Sequence, residues 1–110
     1  MAKILILHGP NLNLLGVREP HIYGSDSLDD INQLCRNLCA AKGHDFISLQ
    51  SNAESDFIDR LHEARDDGTE FMIVNFGGFT HTSVAIRDAI IASEIPFIEV
   101  HLSNLFSRED

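Results

Sequence analysis

Two runs in this chain consist of large apolar side chains without a polar break, Ile4-Leu5-Ile6-Leu7 and Phe71-Met72-Ile73-Val74, and each is followed within a few residues by glycine. A strand with one wet face alternates apolar and polar residues, whereas an unbroken apolar run of this length suits a strand buried on both faces. Such a strand needs helices on both sides of its sheet. These runs therefore restrict the chain to a parallel α/β arrangement more tightly than its composition does.

The rest of the chain alternates accordingly. Lys3-Ile4-Leu5-Ile6-Leu7-His8, stopped by Gly9-Pro10, reads as a first, central strand. From Gly9 to Asp26 there is no helical or strand period, but there are two prolines, three glycines and the charged pair Arg18-Glu19. A connection of that length in a small domain reads as a lid or binding loop. Asp26 or Ser27 then caps a helix in which Leu28, Ile31, Leu34, Cys35, Leu38 and Cys39 mark a buried stripe, ended by Lys42-Gly43.

Asp45 to Gln50 alternates, as a strand nearer a sheet edge does. A second helix, entered through Ser51-Asn52-Ala53-Glu54, turns Phe57, Ile58, Leu61 and Ala64 inward and closes at Asp66-Asp67-Gly68. After the strand Phe71–Val74, a third helix spans roughly Thr82–Ser93, carrying Val84, Ala85, Ala89, Ile90 and Ala92, with Thr80 or Thr82 as its cap. Pro96 starts a fourth strand, Phe97 to Leu102. The alternation predicts a flavodoxin-like three-layer α/β fold, a parallel sheet of order 2-1-3-4, in a single domain over 1–110. On that layout the loops after strands one, three and four share the carboxyl rim, where open α/β sheets bind ligands.

Composition narrows the function. A net charge of −9 argues against nucleic acid, which needs clustered Lys and Arg, and requires any anion site to hold its ligand through local arginines, amides or helix N-termini. No stretch reaches membrane-spanning length and no signal-type run opens the chain, so it is expected in the cytoplasm with no membrane partner. Cys35 and Cys39 have no second pair to complete a metal site, and no metal is expected. Lys3 and Lys42 fall at element ends, a poor place for Schiff-base chemistry.

The three rim loops hold the unusual residues. The first lacks both the Walker ending and the GxGxxG turn, which disfavours a nucleotide or flavin binder. It offers Asn11, Asn13, Arg18 and Tyr23. A guanidinium near a phenol favours the phenolate, so Arg18 and Tyr23 could make a base; equally, Tyr23 could cover apolar surface beside a solvated Arg18. On the fourth strand Glu99 and His101 share a face, because strand side chains alternate. Amid Phe97, Ile98, Val100 and Leu102 such groups are costly unless paired. They read either as a structural pair or as a carboxylate orienting a general acid. Asn75 and His81 bracket the third loop, and Ser103 and Asn104 follow His101. Together these parts suit proton abstraction beside a carbonyl with an acid helping a hydroxyl leave. No Ser or Cys stands at a spacing that would support acyl chemistry.

Gly9-Pro10-Asn11-Leu12-Asn13-Leu14-Leu15-Gly16 with Arg18-Glu19-Pro20 and Tyr23-Gly24, then Asn75-Phe76-Gly77-Gly78-Phe79-Thr80-His81-Thr82-Ser83, then Glu99-Val100-His101-Leu102-Ser103-Asn104 with Arg108-Glu109, resemble in order three signatures of type II 3-dehydroquinate dehydratase. The resemblance implies a cofactor-free hydro-lyase of the shikimate pathway and of aromatic amino acid biosynthesis, removing water from 3-dehydroquinate by trans elimination through an enolate. It implies Tyr23 as the base, kept ionised by Arg18, and His101 as the acid with Glu99 behind it. Asn11 would stabilise the enolate through a water. Asn75, His81, Ser103, Arg108 and the backbone near Leu102 would hold the substrate, with Asp88 reaching in from a neighbouring subunit of a dodecamer of trimers. Family members continue past Arg108-Glu109, so the resemblance also implies a C-terminally shortened domain lacking the fifth strand and last helix. An inactive fragment serving only assembly or ligand binding is the alternative expectation.

Overall fold

The computed structural model describes residues 2–16, 26–77 and 79–101, without the side chains of Thr80 and His81. Four parallel strands, β1 (Lys3–His8), β2 (Asp45–Gln50), β3 (Thr69–Asn75) and β4 (Phe97–Glu99), form one sheet in the order β2-β1-β3-β4. That is the order expected from the sequence. The helices are α1 (Leu28–Ala41), α2 (Glu54–Ala64), a single turn α3 (Phe79–Thr82) and α4 (Val84–Ser93). Leu5, Leu7, Met72 and Val74 of the sheet are buried together with Phe57 and Leu61 of α2 and Ile86, Ala89 and Ile90 of α4. Ile6 and His8 alternate onto the opposite face, where His8 meets Asn32 of α1. The first run is thus buried on both faces at Leu5, Ile6 and Leu7, whereas in the second Met72 and Val74 are buried and Phe71 and Ile73 on the other face remain partly exposed.

The element ends depart from the sequence reading for identifiable reasons. β3 gains Thr69, Glu70 and Asn75 because its ladder with β1 extends from Lys3↔Thr69 to His8↔Asn75, beyond its apolar run. Among the described residues β4 ends at Glu99, short of the expected strand, and pairs with β3 alone, the bond from Val100 N–H to Val74 O at 2.8 Å being its last rung. With one neighbouring strand, Phe97 and Ile98 remain 44% and 49% exposed. On α1, Leu34 and Leu38 face solvent instead of the core, each about 100° around the helix from the inward Cys35 and Cys39. The cap of that helix is as expected: Ser27 Oγ accepts from Asp30 N–H and Asp30 Oδ2 accepts from Ser27 N–H, a reciprocal capping box. The cap of α4 is Ser83, whose Oγ accepts from Ile86 N–H at 3.0 Å, because α3 takes up Phe79–Thr82 first. Val84, Ala85 and Ala92 consequently lie outside the core.

Two packing features set the rim. Gly9 N–H donates to Asn75 O at 2.6 Å, drawing the end of β1 against the loop after β3. A Cβ at Gly9 would collide with the Phe76 backbone, approaching its Cα to 2.7 Å, so only glycine fits. Phe57 of α2 meets Phe76 and Phe79 edge-on, with ring centroids 5.3 and 6.3 Å apart. Edge-to-face pairs contribute about 0.5–1.5 kcal/mol each beyond burial. They clamp the turn that carries Asn75.

The opposite, amino edge is tied by Asp67, which accepts from Arg60 Nη2 at 2.9 Å, from Thr69 Oγ1 at 2.6 Å and from Thr69 N–H at 3.0 Å, and lies 3.3 Å from Lys3 Nζ. Burial pushes its carboxyl up, but the Thr69 and Arg60 contacts outweigh that and hold it down at about 2.

Candidate functional site

The carboxyl rim carries Asn11, Asn75, Glu99 and His101, which come from the ends of three strands, β1, β3 and β4, or the residues just after them. Asn11 follows β1 with φ at +69°, a left-handed conformation that asparagine tolerates better than most residues. Its N–H donates to Asn52 Oδ1 at 2.9 Å, and its carbonyl accepts from Leu14 N–H at 3.0 Å, which turns Leu12–Leu14 into a 3₁₀ helix. Asn52 Oδ1 also accepts from Gln50 Nε2 at 3.3 Å, and Gln50 Nε2 reaches Gly9 O at 3.2 Å. The end of β2 therefore holds the first loop in place, leaving the Asn11 side chain exposed. Strain of this kind, of order 1–3 kcal/mol, persists where neighbouring bonds over-determine it.

Asn75 is 3% exposed. Its carbonyl is taken by Gly9 N–H, and its Oδ1 accepts from Gly77 N–H at 3.2 Å across a turn with Gly77 at φ +54°. Its Nδ2 is buried with no partner among the described residues. An unpaired buried donor costs about 1–3 kcal/mol. A donor fixed in direction and left open at a sheet's carboxyl edge is suited to a ligand oxygen.

Glu99 and His101 come together as strand alternation requires, with Glu99 Oε1 3.7 Å from His101 Nε2. Their side chains are 33% and 38% exposed, because at the edge of the described sheet β4 leaves both partly wet. His101 sits just past the strand rather than within it. A pocket opens beside Glu99, walled by Val74, Phe76, Phe79, Ile90 and Phe97 and also lined by Arg87. Apolar walls of this sort strengthen the field of a carboxylate on a neighbouring imidazole.

Asp88 lies on the exposed side of α4. It stands between Val84 and Ile91, which are 80% and 74% exposed, at the i, i+4, i+7 spacing of one helical stripe. Arg18 and Tyr23, and Leu102, Ser103 and Arg108, lie outside the described residues, as does the His81 side chain. Among the described residues no three His, Cys, Asp or Glu side chains gather as a metal site would require, and no helix is long and apolar enough to cross a membrane. Cys35 and Cys39 are free thiols, and burial, with Cys39 adding to it, pushes the Cys35 thiol up, away from reactive thiolate.

Sequence reasoning missed His8, Asn32, Gln50 and Asn52. His8 is 3% exposed, and its Nε2 lies 2.8 Å from Asn32 Oδ1. Burial lowers its pKa, with the Asn32 bond opposing the shift. The available signal was a polar residue ending each of the two inner strands, His8 and Asn75, with Gln50 ending the edge strand.

Comparison with known proteins agrees with this layout. The model of the family "Dehydroquinase class II" matches residues 2–110. The 3-dehydroquinate dehydratase of Marinobacter nauticus is 60% identical over 109 residues, covering 99% of this chain and 75% of that protein. Among solved structures, a type II dehydroquinase from Butyrivibrio crossotus superposes with a TM-score of 0.88 at 42% identity, over 91% of this chain and 70% of the other. One from Propionibacterium acnes superposes with a TM-score of 0.89 at 37% identity, over 100% and 75%.

Proposed function

We propose, from the premise that the chain belongs to the class II dehydroquinase family, that it is a 3-dehydroquinate dehydratase, a hydro-lyase converting 3-dehydroquinate to 3-dehydroshikimate. One domain over 1–110 carries the residues involved, acting in the cytoplasm on a small-molecule substrate of the shikimate pathway. The observation that carries the reading is the Glu99–His101 pair at 3.7 Å, at the same carboxyl rim as the open Nδ2 donor of Asn75.

In this reading the reaction needs only proton transfers and the departure of one hydroxyl. Tyr23, as phenolate beside Arg18, takes the C2 proton, and the C–H electron pair passes into an enolate of the neighbouring carbonyl. Asn11, through a water, supports the enolate oxygen. The enolate then collapses, the C1–O bond breaks, and His101 gives its proton to the departing hydroxyl, which leaves as water. The proton taken up by Tyr23 returns to His101 through solvent and restores both groups. Glu99 orients the imidazole and supports its cationic form. Asn75, His81, Ser103, Arg108 and the backbone near Leu102 hold the substrate's carboxylate and hydroxyls. No net oxidation occurs, so the reaction needs no redox cofactor.

The exposed Val84-Asp88-Ile91 stripe supports the neighbour-subunit role of Asp88, within a dodecamer of trimers: an apolar helix face around a single carboxylate suits a protein contact better than water. The test is direct. Purified protein incubated with 3-dehydroquinate should produce the ultraviolet absorbance of a conjugated enone, and Tyr23→Phe should abolish it while retaining ligand binding. Binding without turnover in the unaltered chain would reject the enzymatic reading in favour of a binding or assembly role.

A further inference from the structure

Two buried polar atoms at the rim remain unpaired in complementary ways. His8 and Asn75 are register partners on adjacent parallel strands and project from the same face of the sheet. Both are 3% exposed. Asn32 Oδ1 can only accept, so its contact of 2.8 Å with His8 fixes the imidazole proton on Nε2 and leaves Nδ1 as a lone pair. Asn75 Oδ1 is occupied by Gly77 N–H, which fixes the amide and leaves Nδ2 to donate. Neither His8 Nδ1 nor Asn75 Nδ2 has a partner among the described residues. Gln50, the register partner of His8 on the other side, already spends its amide hydrogens on Gly9 O and Asn52 Oδ1. Burial disfavours the imidazolium, so His8 remains an acceptor at neutral pH.

We propose that His8 is a specificity-determining residue: with Asn75 it receives one substrate hydroxyl, His8 Nδ1 accepting its hydrogen and Asn75 Nδ2 donating to its oxygen. A hydroxyl is the small group that both donates and accepts. A methylene in its place leaves both protein atoms unpaired, and an oxo group leaves Nδ1 unpaired. Sites built this way reject an analogue lacking the hydroxyl far more strongly than apolar pockets reject a missing methylene. The proposal rests on the dehydratase reading, in which the substrate is a polyhydroxylated cyclic carboxylate.

The experiment measures, by calorimetry, binding of quinate and of its deoxy analogues, each lacking one ring hydroxyl, to the unaltered protein and to His8→Leu and His8→Gln. The unaltered protein should disfavour one deoxy analogue by about 10- to 100-fold. His8→Leu should weaken quinate by a similar factor and erase the discrimination against that analogue alone. His8→Gln, which keeps an acceptor oxygen, should restore part of it. In turnover, KM should rise more than kcat falls, as expected for an interaction made equally in the ground and transition states. Unchanged quinate binding in His8→Leu, or a loss equal for every analogue, overturns the proposal. Should His8→Leu not fold, Asn32→Ala releases the Nε2 proton and should blunt the same discrimination; undiminished selectivity there also overturns it. Failure of the unaltered protein to convert 3-dehydroquinate would instead overturn the dehydratase reading, and this proposal with it.

Discussion

Gly9→Ala is the smallest change that tests how the rim is held. The added Cβ would come 2.7 Å from Phe76 Cα and closer still to its carbonyl. Carbon atoms rest at about 3.5 Å or more, so the strand end and the loop must part by at least roughly 0.8 Å, and by more at the carbonyl. The obstacle is backbone, which cannot rotate aside, and the 2.6 Å bond from Gly9 N–H to Asn75 O opposes the parting. Overpacking of this kind costs about 1–3 kcal/mol, and the upper end applies here. At about 4 °C per kcal/mol for a domain of this size, Tm should fall by roughly 12 °C. The shift also separates Asn11 from Asn75, and misplacement near 1 Å can lower a rate about 100-fold. Thermal unfolding and steady-state turnover of the same preparation measure both. A variant with Tm within about 2 °C and full activity would refute the claim that this contact positions the site.

Three further outcomes follow from the same geometry. Asp67→Asn should destabilise the fold by about 1–2 kcal/mol at neutral pH, discounted because the carboxylate is a quarter exposed. The folded carboxyl titrates at about 2, below its ordinary 3.8. Its contribution is therefore present above about pH 4 and lost as pH falls toward 2, and urea unfolding of the variant should show a shallower acid slope over that window; equal slopes would deny Asp67 the role. Arg18→Ala should move the acid limb of the turnover profile to higher pH, because a tyrosine without its guanidinium is less ionised, and an unmoved limb would remove Arg18 from the base assignment. Ile91→Glu should lower the particle mass measured by light scattering if the α4 stripe meets a neighbouring subunit; an unchanged mass would place the contact elsewhere.

How much of this was legible in the sequence depends on how local each relation is. The strand order and layers could be read because unbroken apolar runs mark the inner strands of a covered sheet wherever they occur. The Glu99–His101 approach could be read because it needs only the two-residue period of one strand. How far the pair is exposed is not a property of that period: it follows from β4 having one partner strand among the described residues, which leaves Phe97 and Ile98 about half exposed beside it. Ser83 was passed over as a helix cap because Thr80 and Thr82 are equally good caps by residue type, and only the extra turn α3 separates them. His8 could not be found at all from its own surroundings: its meaning comes from a register partner 67 positions away and from Asn32 on a helix across the sheet. A polar residue ending an inner strand is ambiguous alone. Two such residues brought side by side, each with one hydrogen-bonding atom committed and one left open, describe the shape of what they bind.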